Sequence, residues 1–210
     1  MPLPEAAGPA RAALFDLGGV LVDWNPRHLY RRLFADERAM EEFLSAICTQ
    51  EWNEEQDLGR PFAEGVRLLV ERHPRHAAEI RAYDTHWHEM LGGPIAGSVV
   101  LLDELRRRGV PLFALTNWSA EKFPVGRTRF DFFEWFAGIV VSGEERVKKP
   151  DPQIFDLAIR RFGLDPGQTL FVDDSAINAA AAAALGFRAH RFVDAQGLRA
   201  ALVAHGLLPA

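Results

Sequence analysis

The stretch Ala12-Ala13-Leu14-Phe15-Asp16-Leu17-Gly18-Gly19-Val20-Leu21-Val22-Asp23 decides how the rest of this chain is read. Its first residues form a short apolar run of the kind that makes a buried strand. The run stops at one carboxylate, Asp16, and two glycines follow, Gly18 and Gly19. Glycine there lets the backbone turn sharply and lets a ligand come close to the main chain. In open α/β sheets ligands lie beyond the carboxyl ends of the strands. Asp16 therefore stands where a nucleophile or a metal ligand would stand. On these residues alone, a strand-ending turn capped by Asp16 reads equally well.

Working outward, residues 25–91 are helical in pattern. Asn25 and Pro26 form a cap and first-turn pair, with Leu29, Leu33 and Phe34 at helical spacing. Asp36 caps a second helix whose apolar stripe is Met40, Phe43, Leu44 and Ile47. A third helix follows Pro61, and a fourth carries Ile80, Tyr83, Trp87 and Leu91. Gly92-Gly93-Pro94 then breaks the chain, and the pattern changes. Helices over 98–108, 152–162, 176–185 and 196–205 alternate with strands over 111–115, 139–141, 169–172 and 187–192. That alternation implies a parallel sheet covered on both faces. The expected division is an α/β core of residues 10–24 and 92–210 with a helical cap of residues 25–91 inserted after the Asp16 strand.

Composition narrows the function. The chain has 210 residues, 48% hydrophobic and 25% charged, enough for one core plus an insert. A net charge of -5 argues against a nucleic-acid partner, whose binder is usually basic. Arg106-Arg107-Arg108 suits the C-terminal end of a helix. No apolar run is long enough to span a membrane. Met1–Ala10 reads as a frayed tail with no apolar leader segment. The one cysteine, Cys48, on an apolar helix stripe, makes no internal disulfide. A cytoplasmic monomer or homodimer is the default expectation.

The strand ends then tell together what each does not tell alone. They carry Asp16, Thr116-Asn117 and Asp173-Asp174, with Lys149 in a loop just before a helix. Singly, each is a plausible cap or a solvated turn residue. Jointly, they place carboxylates, a hydroxyl and an ammonium on one rim of a parallel sheet. Crowded carboxylates raise one another's pKa unless a cation neutralises them. Mg²⁺ suits a pair of carboxylates, waters and a substrate phosphate. A carboxylate beside it can attack phosphorus, while Thr116, Lys149 and main-chain N–H groups hold the phosphoryl oxygens.

In its four rim motifs the sequence resembles the haloacid dehalogenase-like hydrolases. The motifs occur in order: Phe15-Asp16-Leu17-Gly18-Gly19-Val20, Leu115-Thr116-Asn117, Lys149-Pro150-Asp151-Pro152 and Phe171-Val172-Asp173-Asp174-Ser175. The resemblance implies a Rossmann-like core with an α-helical cap and a phosphatase of small phosphorylated metabolites, of sugar-phosphate type. It implies that Asp16 is the nucleophile, and that Asp16, Asp174 and the main-chain carbonyl of Gly18 hold Mg²⁺. Asp173 would support the metal from behind. Thr116, Asn117 and Lys149 would bind the phosphoryl group. One departure stands out. Most phosphatases of this family carry a general-acid aspartate two residues after the nucleophile, where this chain has Gly18. Two other readings follow. One is a metal-independent 2-haloacid dehalogenase using Arg27, Arg31 or Arg32 for the substrate carboxylate. The other is a catalytically weak module that binds a phosphorylated metabolite.

Several tempting features carry no site. His86 and His88 lie two apart on the expected helix and point away from each other. His73 and His76 flank Pro74 in a connector. The aromatic string Phe130, Phe132, Phe133, Trp135 and Phe136 reads as packing. Trp52, Asn53, Gln56 and Asp57 read as a polar loop between cap helices, at the mouth of the site.

Overall fold

The structure, a computed structural model, describes residues 8–210. Its elements in chain order are β1 (Ala12–Phe15), β2 (Val22–Trp24), α1 (Arg27–Tyr30), α2 (Glu37–Ala46), α3 (Gln50–Asp57), α4 (Phe62–Arg72), α5 (Ala77–Thr85) and β3 (Leu91–Pro94). There follow α6 (Ala96–Arg107), β4 (Leu112–Thr116), α7 (Phe123–Arg129), β5 (Gly138–Val141), α8 (Ser142–Glu145) and α9 (Pro152–Phe162). The chain closes with β6 (Thr169–Asp173), α10 (Ala176–Ala184), β7 (Arg188–Arg191) and α11 (Ala195–Ala204). Five strands form one parallel sheet in the order β5-β4-β1-β6-β7. The chain leaves the central β1 toward β4 and later returns to its other side at β6. That is the switch point where such sheets open a crevice.

Strand alternation assigns the two faces. Leu14, Leu115, Val140 and Phe171 point to one side, where Ile154, Phe155 and Ala158 of α9 and Ala182 of α10 cover them. Ala13, Phe15, Ala114, Leu170 and Val172 point to the other, with Leu101, Leu102 and Leu105 of α6 and Leu198 and Leu202 of α11. The caps agree with the sequence: Asp36 accepts from Ala39 N–H, Asp151 from Gln153 N–H and Ser175 from Asn178 N–H. Arg106 and Arg107 close α6, both paired with Asp103. The aromatic string after α7 is core, with Phe130, Phe132, Phe133 and Phe136 all buried.

The segment between β2 and β3 differs from expectation in four places. The first helix is a single turn, and Leu33 beyond it is exposed. Trp52–Asp57 is not a loop but most of α3, whose first turn is capped by Thr49 Oγ1 accepting from Trp52 N–H at 3.2 Å. Its polar residues face inward, and so it escaped a search for apolar spacing. The fourth helix stops at Thr85, Trp87–Met90 form a 3₁₀ turn, and Leu91 opens a strand. Gly92-Gly93-Pro94 is thus not a break: β3 pairs antiparallel with β2, a partner some seventy residues away that local pattern cannot reveal. The two histidines of 86–88 accordingly end α5 and enter the 3₁₀ turn rather than sharing a helix. Cys48 is buried as expected, but beyond the end of α2.

Most of the tail reading of Met1–Ala10 lies outside the described residues. Its end is tied down, since buried Ala10 donates its N–H to His205 O at 2.8 Å. Among the described residues no helix is long and apolar enough to cross a membrane.

Phe171 lies between Phe155 and Phe187, with ring centroids 5.4 and 6.3 Å away. Phe171→Ala should empty that position and cost about 3–5 kcal/mol of stability, read as a lowered midpoint in denaturant unfolding.

Candidate active site

Parallel strands in register end on one edge, and that edge carries the chemistry. Phe15 sits opposite Val172 and Ala114, so Asp16, Asp173 and Thr116 all fall at the rim. Asp16 is anchored there by its own N–H, which donates to Val172 O at 2.8 Å. Asp16, Asp173 and Asp174 each offer an oxygen, and these oxygens lie within 4.8 Å of one another. Lys149 arrives from the loop between α8 and α9 with its side chain fully buried. Its Nζ donates to Asp173 Oδ2 at 2.7 Å and lies 3.0 Å from Asp16 Oδ1.

Asp173 is saturated by neighbours. Besides Lys149 it accepts from Asn178 Nδ2 at 3.1 and 3.2 Å and from Ser175 N–H at 2.9 Å. Asp16 accepts Leu17 N–H at 2.7 Å, and Asp174 is the exposed member of the three. Three carboxylates share one ammonium, so negative charge is in excess. Burial pushes the Asp16 carboxyl up, to about 7; Lys149 pulls it down, while Asp173 and Asp174 add to the rise. Asp174 is raised by burial and by Asp173. Burial works against the Lys149 ammonium, yet Asp16 and Asp173 hold its pKa above the ordinary value. Asp16, Asp173 and Asp174 could hold a metal ion between them.

The turn after Asp16 is shaped for that cluster. Gly19 has φ +71°, and a Cβ there would run into the Asp174 carboxylate, 2.8 Å from its Cγ. The missing side chain is what lets Asp174 lie against the turn. Gly18 differs, since a Cβ built on it meets nothing within 4 Å. The position that carries an acid in most of the family is therefore open space here.

Thr116 Oγ1 is buried and has no partner, a hydroxyl left over for a ligand. Asn117, expected to bind substrate, has its carboxamide committed elsewhere. Its Nδ2 donates to Lys149 O at 3.0 Å and its Oδ1 accepts from Lys149 N–H at 2.9 Å. The Asn117 side chain thus grips the lysine's backbone rather than a ligand. The arginines considered for a substrate carboxylate are engaged within the helical segment: Arg27 with Glu41, Arg31 with Glu37 and Arg32 with Glu89.

The polar stretch of α3 reaches the core at its C-terminal end. Asn53 Nδ2 donates to Asp57 Oδ2 at 2.9 Å, and burial pushes the Asp57 carboxyl up to about 7, with Glu54 adding to the rise. Gln56 is a fully buried internal brace between Trp52 O and Arg60. Ser142 Oγ, at the end of β5, donates to Asp57 O at 2.6 Å.

Two contributors carry no role in the sequence reading: Asn178 and Ser142. Asn178 had a signal, being the one amide in the alanine-rich α10. Ser142 had one too, since it ends a strand on the same rim.

The haloacid dehalogenase-like hydrolase family model matches residues 10–186. The chain is 31% identical to the sesquiterpene phosphatase astK of Aspergillus oryzae, over 84% of this chain and 86% of that one. It is 29% identical to a phosphoglycolate phosphatase of Thiobacillus denitrificans, over 85% and 81% of the two chains. Among solved structures it is similar to the HAD family enzyme bt-2542 of Bacteroides thetaiotaomicron in complex with magnesium and inorganic phosphate. That likeness has a TM-score of 0.68 and 25% identity, over 88% of this chain and 95% of that one.

Gly19→Ala should displace the Asp174 carboxylate and lower the affinity for added Mg²⁺ by about 10–100-fold, the scale on which misoriented ligands weaken metal sites. Calorimetric titration of both proteins with Mg²⁺ checks this.

Proposed function

The chain belongs to the haloacid dehalogenase-like hydrolases, and from that premise we propose that it is an Mg²⁺-dependent phosphatase of small phosphorylated metabolites, of sugar-phosphate type. The observation that carries this reading is the rim cluster itself. A buried carboxylate, Asp16, lies 3.0 Å from a buried ammonium, with two more carboxylates and a partnerless hydroxyl beside it. The two relatives named above are phosphatases by name, and the solved neighbour holds magnesium with inorganic phosphate.

In this reading an Asp16 carboxylate oxygen attacks the substrate phosphorus while the bond to the leaving oxygen breaks. The phosphoryl group passes to Asp16, and the leaving oxygen takes up a proton. Water then attacks the phosphorus of the Asp16 phosphate, releasing inorganic phosphate and restoring the carboxylate. Lys149 and Thr116 hold the phosphoryl oxygens through both steps. Asp16, Asp174 and the carbonyl of Gly18 would hold Mg²⁺, with Asp173 behind them. Bound there, the ion would neutralise the surplus carboxylate charge and polarise the phosphoryl group.

Residues 25–91 act as a cap in this proposal, and contacts with the core support a closed one. Lys122 pairs with Asp84, Lys148 with Glu54, and Glu121 accepts the N–H of Phe62 at the start of α4. A cap seated this way admits small substrates and keeps water out. The dehalogenase reading is less favoured, since the three arginines that could take its substrate carboxylate each pair with a glutamate. A purely binding role leaves the Asp16–Lys149 pair without a task.

Asp16→Asn should abolish turnover of a phosphate monoester while the protein melts as before, and chelator should stop the natural protein until Mg²⁺ is restored. Near-normal turnover by a well-folded Asp16→Asn would remove Asp16 as the nucleophile. Halide release from a 2-haloacid in chelator would favour the dehalogenase instead.

Gly18 sharpens the substrate side of the reading. General acid help is worth about 10²–10⁴-fold, and no carboxylic acid occupies that position. Substrates with good leaving oxygens, such as an anomeric sugar phosphate, should therefore be preferred. Phosphate monoesters of graded leaving-group pKa should give a steep rate dependence with the natural protein. Gly18→Asp, whose Cβ would meet nothing within 4 Å, should flatten it.

A further inference from the structure

One buried hydroxyl joins the cap segment to the core beside the site. Ser142 is fully buried at the end of β5. Its Oγ donates to the main-chain carbonyl of Asp57, at the end of α3, at 2.6 Å. The same oxygen accepts the Trp118 N–H at 3.0 Å. Among the described residues its other acceptor is Trp118 O, at a longer 3.4 Å. A serine hydroxyl has one proton to give, so seating α3 on the core decides where that proton points. The Trp118–Ala120 segment is pressed onto this corner. A Cβ on Gly143 would stand 2.8 Å from Trp118 O and 2.9 Å from Ser119 Cα, and Gly143 N–H donates to Trp118 O at 3.1 Å.

The neighbour of Trp118 is Asn117, whose carboxamide holds both the N–H and the C=O of Lys149. Lys149 in turn places its ammonium between Asp16 and Asp173. A continuous bonded path thus runs from the Asp57 carbonyl through Ser142, Trp118 and Asn117 to the Lys149 ammonium. Coupling travels through contiguous contacts of this kind where one element has two discrete arrangements. Here that element is the Ser142 hydroxyl with its two acceptors.

We propose that Ser142 is a positioning residue that makes the placement of Lys149 depend on the seating of α3 on the core. It touches neither substrate nor the reacting atoms. When α3 is seated, the hydroxyl bonds Asp57 O, the Trp118 amide is held, and Asn117 is fixed to grip Lys149. When α3 lifts, the hydroxyl keeps only the longer 3.4 Å contact to Trp118 O, and the oxygen that accepts the Trp118 N–H loses the short bond that orients it. The consequence for catalysis rests on the phosphatase reading above, while the mechanical link does not.

The test is amide hydrogen exchange followed by NMR in the natural protein, Ser142→Ala and Ser98→Ala. Ser98 is the control, a fully buried serine whose hydroxyl has no partner. With Ser142→Ala the Trp118 amide should exchange faster, and so should the Lys149 amide, by about tenfold, the effect of leaving one buried donor unpaired. Ser98→Ala should leave both unchanged. Faster exchange confined to Trp118, with Lys149 unchanged, would overturn the proposal and reduce Ser142 to a local brace. Should Ser142→Ala fail to fold, Ser142→Cys, with its weaker donor and acceptor, serves in its place on the same criterion.

Activity on p-nitrophenyl phosphate with Mg²⁺ is the second arm. Ser142→Ala should lower kcat/KM by about tenfold, and adding it to Asn117→Ala should cost little more than Asn117→Ala alone. Losses that multiply would show two independent effects and count against the path. A natural protein inactive on every phosphate ester would sink the phosphatase reading, and the exchange result would still decide the link.

Discussion

A single ammonium buried among carboxylates sets the terms for this structure. Lys149 has no exposed side-chain surface, and it stands between Asp16 and Asp173. Taking such charges out of water costs several kcal/mol per ion, and only close, well-bonded partners offset it. The fold meets that demand by holding both ends of the lysine. Asn117 grips its backbone, and the two aspartates, themselves fixed by Leu17, Ser175 and Asn178, hold its tip. Even so, one positive charge faces three negative ones. The surplus is the physical reason the site reads as a place for a metal and a phosphoryl group rather than as a structural ion pair.

The sheet makes that concentration of charge possible at small cost to the core. Parallel strands expose their chemistry only at their ends, so β1, β4 and β6 stay apolar while the next residue on each is polar. The same rim collects Ser142 from β5, which turns the edge of the sheet into a continuous row of hydroxyls, amides and carboxylates. Glycine completes it. Gly19 accepts a positive φ and leaves room for Asp174, whereas Gly18 leaves room for nothing present. The two adjacent glycines thus do different work, one making the acidic cluster possible and the other leaving a gap where proton transfer is usually supplied.

The loop after β4 ties this rim to the helical segment. Within six residues it offers Asn117 to Lys149, Trp118 to Trp87 and Ser142, Glu121 to α4 and Lys122 to α5. These contacts join parts of the chain between 24 and 59 residues apart. A change in how the helices sit is therefore felt first by the residues that follow Thr116, next to Asp16 and Lys149. In the proposed reading, that arrangement gives the inserted helices a mechanical bearing on the site as well as a role in covering it.

The amino-acid sequence by itself determined the alternation of strands and helices, the carboxylates at the strand ends and the helix cap at Asp36. Each of these follows from local chemistry, in runs of apolar residues, turn formers and side chains that reach their own backbone. Three apolar-to-polar transitions at strand ends were enough to gather the rim, because parallel strands in one sheet must end together. What the sequence left open depends on partners distant in the chain. Leu91–Pro94 is a strand only because Val22–Trp24 lies beside it. Trp52–Asp57 is a helix whose polar face is buried because its side chains bond within the helix and Ser142 of the core bonds its end. Asn117 turns from ligand binder to anchor because Lys149, thirty-two residues on, takes both ends of its amide. Local pattern specifies what each segment is made to do, and only tertiary packing decides which side chain spends its hydrogen bonds on the protein and which, like Thr116, keeps one free.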